Sequence, residues 1–381
     1  MSLLTSAVSM TKAMVQIDST DPGTYEKAMA DWIEQQLSDL SNVLITRENV
    51  LPGRPNLMAE IPGPKHLPAL VMICHMDTVV IGDGWTLPPF EAIEKDGKIY
   101  GRGACDMKSG LACCLSAFIM AARTLHASGQ APKRTLKLIC SMDEEDFMRG
   151  SEACIRSGWV TSKDWVIDAE PTNGQIQMAH KGRTWYEIDV EGHTAHASTA
   201  IAAMAEIISA LRQDILNAPS HPDMGISTVT FGQITGGDRP YVVPDQCKLW
   251  IDMRLVPPLN TAKTTEFVQN AIHLAEEKVP GVKAAYTITG DRPPIEMNPD
   301  SPLLTELKKA CHHVTGHQPE VSCFTGYTDT AVIAGQLDNQ NCMSYGPGCL
   351  EAAHQPDEWV VIDDIIRCEK VYHQLISSNI L

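Results

Sequence analysis

The chain has 381 residues, 44% of them apolar and 20% charged, which is enough to bury more than one core and excludes a disordered or fibrous protein. Formal net charge is −17, from 47 acidic against 30 basic residues, and no Lys/Arg run exceeds two, so a nucleic-acid partner is excluded because phosphate binding needs a basic footprint. Twelve cysteines at irregular spacings, several inside apolar runs (Cys74, Cys113, Cys114, Cys140), form no C-x-x-C and read as reduced core thiols of a cytoplasmic enzyme.

Apolar spacing predicts helices over Leu3–Ile17 and Tyr25–Leu40. No basic segment leads into an apolar one at the start, and no apolar stretch reaches the roughly 20 residues that span a bilayer. We therefore expect a soluble protein without a membrane partner. LVMIC (Leu70–Cys74) is a continuous apolar run, as in a strand buried on both faces. Met107–Leu125 reads as a buried helix, and Thr135–Ser141 and Trp165–Asp168 as two more strands. Strands alternating with helices imply an α/β fold: a mixed, mostly parallel sheet with helices on both faces. From about Gly182 the pattern changes. Arg183–Glu191, Ile226–Gln233 and Gln246–Arg254 alternate apolar with polar residues, and helices are predicted over Ala200–Leu216 and Thr264–Lys278. The order is close to β-α-β-β-α-β, a ferredoxin-like α+β unit. After Pro293-Pro294 the first pattern resumes. We thus expect a discontinuous domain, residues 1–181 and 293–381, interrupted by an inserted domain, 182–292.

The residues that can carry chemistry fall just past predicted strand ends. His75 and Asp77 follow LVMIC, and positions i and i+2 of an extended segment point to one side. Asp106, in GRGACDMKSG, precedes the long helix and would by itself be read as an N-cap. Four acids, Asp143 to Asp146, follow the Thr135–Ser141 strand; alone they would be a solvated loop. Glu170 ends VIDAEP, and His354 lies beyond a Gly-Pro-Gly turn. Each item is ordinary singly. Their shared position, at the edge where open α/β sheets bind ligands, is not. Imidazole plus carboxylate, with no thiol, suits Zn²⁺, and also Mn²⁺ or Co²⁺. Five ligands with one shared carboxylate suit two such ions.

The series HMD, GRGACDMK, DEE, EP and GPG…AHQPDEWV resembles the dinuclear zinc peptidase family of acetylornithine deacetylase, succinyl-diaminopimelate desuccinylase, aminoacylase-1 and the glutamate carboxypeptidases, over nearly the whole chain. The resemblance implies that His75 and Glu170 complete one metal site, Glu145 and His354 the other, and that Asp106 bridges them. It implies that Asp77 orients His75, and that Glu144 is the general base and acid of an amide hydrolysis through a water acidified by the metals. It further implies that the inserted domain is a lid and dimerisation domain. His196 of EGHTAHAS would reach a partner subunit's site, with His193 as its nearby competitor, and Arg254 of WIDMR would grip a substrate carboxylate; its ordinary alternative is an edge-strand arginine in a surface ion pair. The expected protein is a homodimer that hydrolyses a small-molecule amide.

Three places depart from the family pattern. Tyr241 heads Tyr241-Val242-Val243-Pro244 where relatives carry Asn, so Arg239 and Tyr241 would take over that substrate contact. Tyr327 stands in Gly326-Tyr327-Thr328-Asp329-Thr330 where a second Gly is usual, and would narrow the pocket. The loop after Glu145 is bulkier than usual. All three are specificity positions, so the substrate stays open between an N-acyl amino acid, a dipeptide or carboxypeptidase substrate, and an aromatic amine or amide.

Overall fold

The protein is described here from a computed structural model, which defines residues 6–192 and 200–381. The chain divides into two compact units: Met1–Met178 with Met297–Ser322 and Thr328–Leu381, and Ala179–Glu296 with Cys323–Tyr327.

In the first unit, the LVMIC run forms the strand Leu70–His75, buried along its whole length. It lies inside an eight-stranded sheet ordered Val321–Phe324, Ile176–His180, Cys342–Ser344, Trp165–Asp168, Leu70–His75, Leu136–Ser141, Arg54–Ile61, Leu44–Leu51. The strands from Cys342–Ser344 to Leu136–Ser141 run parallel. Leu44–Leu51 and Arg54–Ile61 add an antiparallel hairpin at one side. The sequence reading missed that hairpin because LITRENVL mixes charges with apolar residues and its strand is never fully buried.

Side chains alternate across a strand, and both faces are used. Leu70, Met72 and Cys74 enter a core with Leu111, Phe118 and Tyr372, carried by the helices Ser109–Ser128 and Ile362–Asn379. Val71 and Ile73 are buried on the opposite face, where the helix Asp329–Leu337 meets the strand. The α/β expectation with helices on both faces holds. One expectation fails: the helical stretch Ala104–Ser128 is long and apolar enough, by length and composition, to cross a membrane. Its apolar surface is instead taken up by the core, with Leu111, Leu115 and Phe118 wholly buried. All the cysteines are unpaired, and only Cys323 and Cys349 escape full burial.

Two glycines let the backbone close around Ala169. A Cβ on Gly110 would lie 2.0 Å from the Ala169 carbonyl oxygen, and one on Gly346 2.2 Å from it. The obstacle is main chain in both cases and cannot rotate away. Overpacking costs about 1–3 kcal/mol, so Gly346→Ala should lower Tm by about 2–10 °C in a thermal melt. An unchanged Tm would show that this turn yields.

In the second unit the strands are ordered Thr228–Gly236, Gln246–Leu255, Gly182–Gly192, Val282–Arg292, all antiparallel. With the helices Ala200–Leu216 and Thr261–Lys278 between them in chain order, this is the ferredoxin-like order. Tyr186, Ile188, Leu249 and Ile251 share one core with Met204 and Val268 of the helices. The alternate positions, among them Glu187, Trp250, Asp252 and Arg254, form the less buried face.

Candidate metal centre

The parallel strands end together, and each is followed by an acid or an imidazole. His75 closes its own strand, the acid run follows Ser141, Glu170 stands two residues past Asp168, and the strand Cys342–Ser344 leads through Gly346-Pro347-Gly348 to His354. His75, Asp106, Glu145, Glu170 and His354 come together there. His75 Nε2 lies 3.1 Å from Asp106 Oδ1 and 3.7 Å from Glu170 Oε1. His354 Nε2 lies 3.4 Å from Asp106 Oδ2 and 2.9 Å from Glu145 Oε2. Asp106 thus stands between two imidazoles, with one oxygen toward each.

Asp106 does not cap the helix. The helix starts at Ser109, and Lys108 holds the cap position without a side-chain cap bond. Asp106 instead has extended backbone angles, φ −118° and ψ 102°, and the peptide bond after it is cis. The solvated-loop reading of the acid run fails for its first half: Asp143 is 0% and Glu144 8% exposed. His354, at φ 61°, is held in the left-handed region, a strain that accumulates at functional sites.

The field of so many acids shows in the titration of the group. Burial alone pulls the His75 imidazole down, but its hydrogen bond to Asp106 and the charges of Glu170, Glu144 and Asp77 outweigh that and hold it well above its usual value. Hydrogen bonds to Asp106 and then Glu145 push His354 up to about 11. Burial raises Asp106, yet the two histidines overcome it and leave its carboxyl well below the ordinary range. Glu144 goes up, through burial first and then the charges of Asp329, Glu145 and Asp106.

These residues fit a pair of divalent cations. His75 Nδ1 lies 2.9 Å from the main-chain oxygen of Asp77. A carbonyl only accepts, so Nδ1 carries the proton and Nε2 faces Asp106 and Glu170 as a donor to a metal. Glu170 Oε1, fully buried, makes no hydrogen bond among the described residues. Ligand atoms of His75, Asp106 and Glu145 lie within 4.8 Å of one another, as do those of His75, Glu144 and Glu170. A cation at Nε2 and a proton at Nε2 answer to the same negative field, so metal binding displaces the proton.

Asp77 acts on His75 mainly through its carbonyl. Its carboxylate stands 3.8 Å from Nδ1 and accepts the amides of Glu144 at 3.2 Å and Glu145 at 3.1 Å. Sequence reasoning missed Glu358. One of its oxygens accepts the amides of Cys105 at 2.8 Å and Asp106 at 3.0 Å, and the other meets Arg102 at 2.5 Å. Nothing in HQPDEWV distinguishes it from its neighbour Asp357, which bonds Thr86 on the surface.

Arg254, Arg239, Tyr241 and Tyr327 belong to the second unit. Arg254 lies on an inner strand, not an edge, and its Nε donates to Asp252 at 2.9 Å. It stands in register with Arg183, and Arg183 with Arg292, a row of three arginines across three strands that the sequence reading did not find. Arg183 stacks 4.2 Å over Trp185, whose indole N–H donates to Asp252 at 3.0 Å. Tyr241 is 85% exposed and shares an exposed turn with Arg239. Tyr327 clusters with the second unit, outside the domain in which the sequence reading placed it. It is buried, its hydroxyl donates to the Pro293 carbonyl at 3.1 Å, and burial raises its pKa. His196 and its competitor His193 lie outside the described residues.

Comparison with known proteins agrees with this geometry. Residues 71–378 match the model of peptidase family M20/M25/M40. A probable succinyl-diaminopimelate desuccinylase of Staphylococcus aureus is 29% identical over 84% of this chain and 85% of its own length. The aminopeptidase PepT of Bacillus cereus superposes with a TM-score of 0.78 at 20% identity, covering 97% of each chain. A dinuclear metal-binding peptidase of Bacillus subtilis superposes with a TM-score of 0.70 at 16% identity, over 97% of this chain and 96% of that one. The chain belongs to peptidase family M20/M25/M40 and is a metal-dependent hydrolase of amide or peptide bonds.

Proposed function

We propose that the protein hydrolyses the amide bond of an N-acyl amino acid or a similar small carboxylate-bearing substrate. The observation that carries this is Asp106 set between His75 and His354, with Glu170 and Glu145 beside them and Glu144 buried against the same group. Two divalent cations, Zn²⁺ in our reading, would be held by His75, Glu170, Glu145 and His354 with Asp106 shared, and would supply an acidified water and a polarised carbonyl. Glu144 takes the proton of the attacking water and returns it to the leaving nitrogen. Asp77 holds the main chain of Glu144 and Glu145 in place.

In this reading residues 182–292 are the lid and dimerisation domain of a cytoplasmic homodimer. His196 is the donor to the oxyanion, reaching a partner subunit's site, and Arg239, Tyr241 and Tyr327 shape specificity. Arg254 binds the substrate carboxylate, since a guanidinium fork matches a carboxylate with two N–H donors. Arg254→Gln should raise KM about 10–100-fold for a carboxylate substrate, because a charge-assisted bond is worth about 1.5–3 kcal/mol, and should leave its amide analogue unaffected. Equal losses for both would show that Arg254 does not read the carboxylate.

The deciding experiment is a turnover screen of Zn²⁺-, Mn²⁺- and Co²⁺-loaded protein. N-acetyl, N-succinyl and N-aminoacyl amino acids form the panel. Hydrolysis of the first two supports the deacylase reading. Turnover only of substrates with a free α-amino group makes it a dipeptidase, the second reading, which the likeness to an aminopeptidase keeps in view.

A further inference from the structure

Behind the acid run lies a second layer of charge that no motif contains. Arg54, on the hairpin strand Arg54–Ile61, is 7% exposed, and Glu26 is wholly buried. The Arg54 fork closes on both oxygens of Glu26: Nε donates to Oε2 at 2.9 Å, and Nη2 to Oε1. Nη2 also donates to Asp21 at 2.5 Å, and Nη1 stands 3.2 Å from Asp143. Ligand oxygens of Asp21, Glu26 and Asp77 lie close enough together to suggest one more metal site. The guanidinium already bonded to Asp21 and Glu26 fills the cation's role there.

The consequence runs through the backbone of the loop. Consecutive amides are each held by a carboxylate: Asp143 N–H by Glu26 at 3.2 Å, Glu144 N–H by Asp77 at 3.2 Å, and Glu145 N–H by Asp77 at 3.1 Å. Asp143 sits at φ 66°, in the left-handed region that non-glycine residues adopt at a cost. The loop therefore does not take this shape by itself and depends on its acceptors. One of those acceptors, Glu26, is itself held on both oxygens by the Arg54 fork.

We propose that Arg54, acting through Glu26, is a positioning residue for Glu144: its fork clamps the Glu26 carboxylate that holds the Asp143 amide, while Arg149 forks onto the Asp143 carboxylate itself, and the clamp fixes the main chain on which the proton-transferring carboxylate is aimed. This rests on Glu144 being the base, and misplacement by about 1 Å costs on the order of 100-fold in rate.

The test uses the full-length, metal-loaded enzyme with Arg54→Lys, Arg54→Gln, Glu26→Gln and, for reference, Glu144→Gln. Arg54→Lys keeps the charge but loses the fork. Glu26→Gln keeps an acceptor for the Asp143 amide but loses the charge that holds Arg54. Metal content and KM should stay near wild type in these two, while kcat falls about 10–100-fold. Arg54→Gln should fall further or fail to fold. Hydrogen exchange needs no substrate: the amides of Asp143, Glu144 and Glu145 should exchange faster in Arg54→Lys, with the core strands unchanged. Exchange at those three amides like that of wild type overturns the proposal, as does an undiminished kcat in both milder variants. If Glu144→Gln keeps full turnover, the base assignment falls. If Glu144→Gln is dead while the Arg54 and Glu26 variants are fully active and fully protected, only the positioning role falls.

Discussion

Glu144→Gln should reduce kcat by about 10²–10⁴-fold, the usual contribution of a positioned general base, with metal content unchanged. Gln fills the same volume and keeps the loop's amide bonds to Asp77, but it cannot accept the proton from water. Glu144 neighbours Glu145, whose carboxylate lies 2.9 Å from His354, so the two acids separate cleanly by experiment: loss at 145 should release metal, loss at 144 should not. Steady-state turnover combined with metal analysis of the same preparation measures both. A Glu144→Gln enzyme with turnover near wild type would remove Glu144 from the chemistry.

Asp106→Ala should empty the centre. Asp106 turns one oxygen toward each imidazole, and its removal should weaken metal binding by more than the roughly 10–100-fold that an outer-shell partner costs. Activity should fall with it. The metal-free protein gives a second readout. Asp106, then Glu145, hold His354 at about 11, against 6.5 for an ordinary histidine. A histidine whose folded pKa is raised stabilises the native state fully below 6.5 and loses that contribution as pH climbs toward 11. In metal-free Asp106→Ala that pH dependence should flatten, and the His354 titration, followed by NMR, should move down. Full metal occupancy in the variant would contradict a shared Asp106.

The short apolar runs announced the central strands because a strand buried on both faces must be apolar throughout. LVMIC and the strand ahead of the acid run sit within a residue of their predicted places. The hairpin Leu44–Leu51/Arg54–Ile61 left no such trace: its outer strand carries charge on partly exposed positions, and its inner strand, though buried, opens on Arg-Pro-Asn and not on an apolar run. That omission hid Arg54. A buried arginine in a charged-looking strand reads as surface until its partners, Asp21, Glu26 and Asp143, are seen around it.

By itself the sequence determined the fold class, the inserted ferredoxin-like order and a set of metal-binding side-chain types, because each follows from residue periodicity or from ligand chemistry close to a strand end. Only the tertiary structure decided that Asp106 faces two histidines and does not cap a helix, that Glu358 and not Asp357 holds its backbone, and that Arg254 stands in a row with Arg183 and Arg292. The reason is physical: these facts depend on contacts between residues tens to hundreds of positions apart, such as Glu358 with Asp106 across 252 residues, and no local pattern encodes which distant partner will arrive.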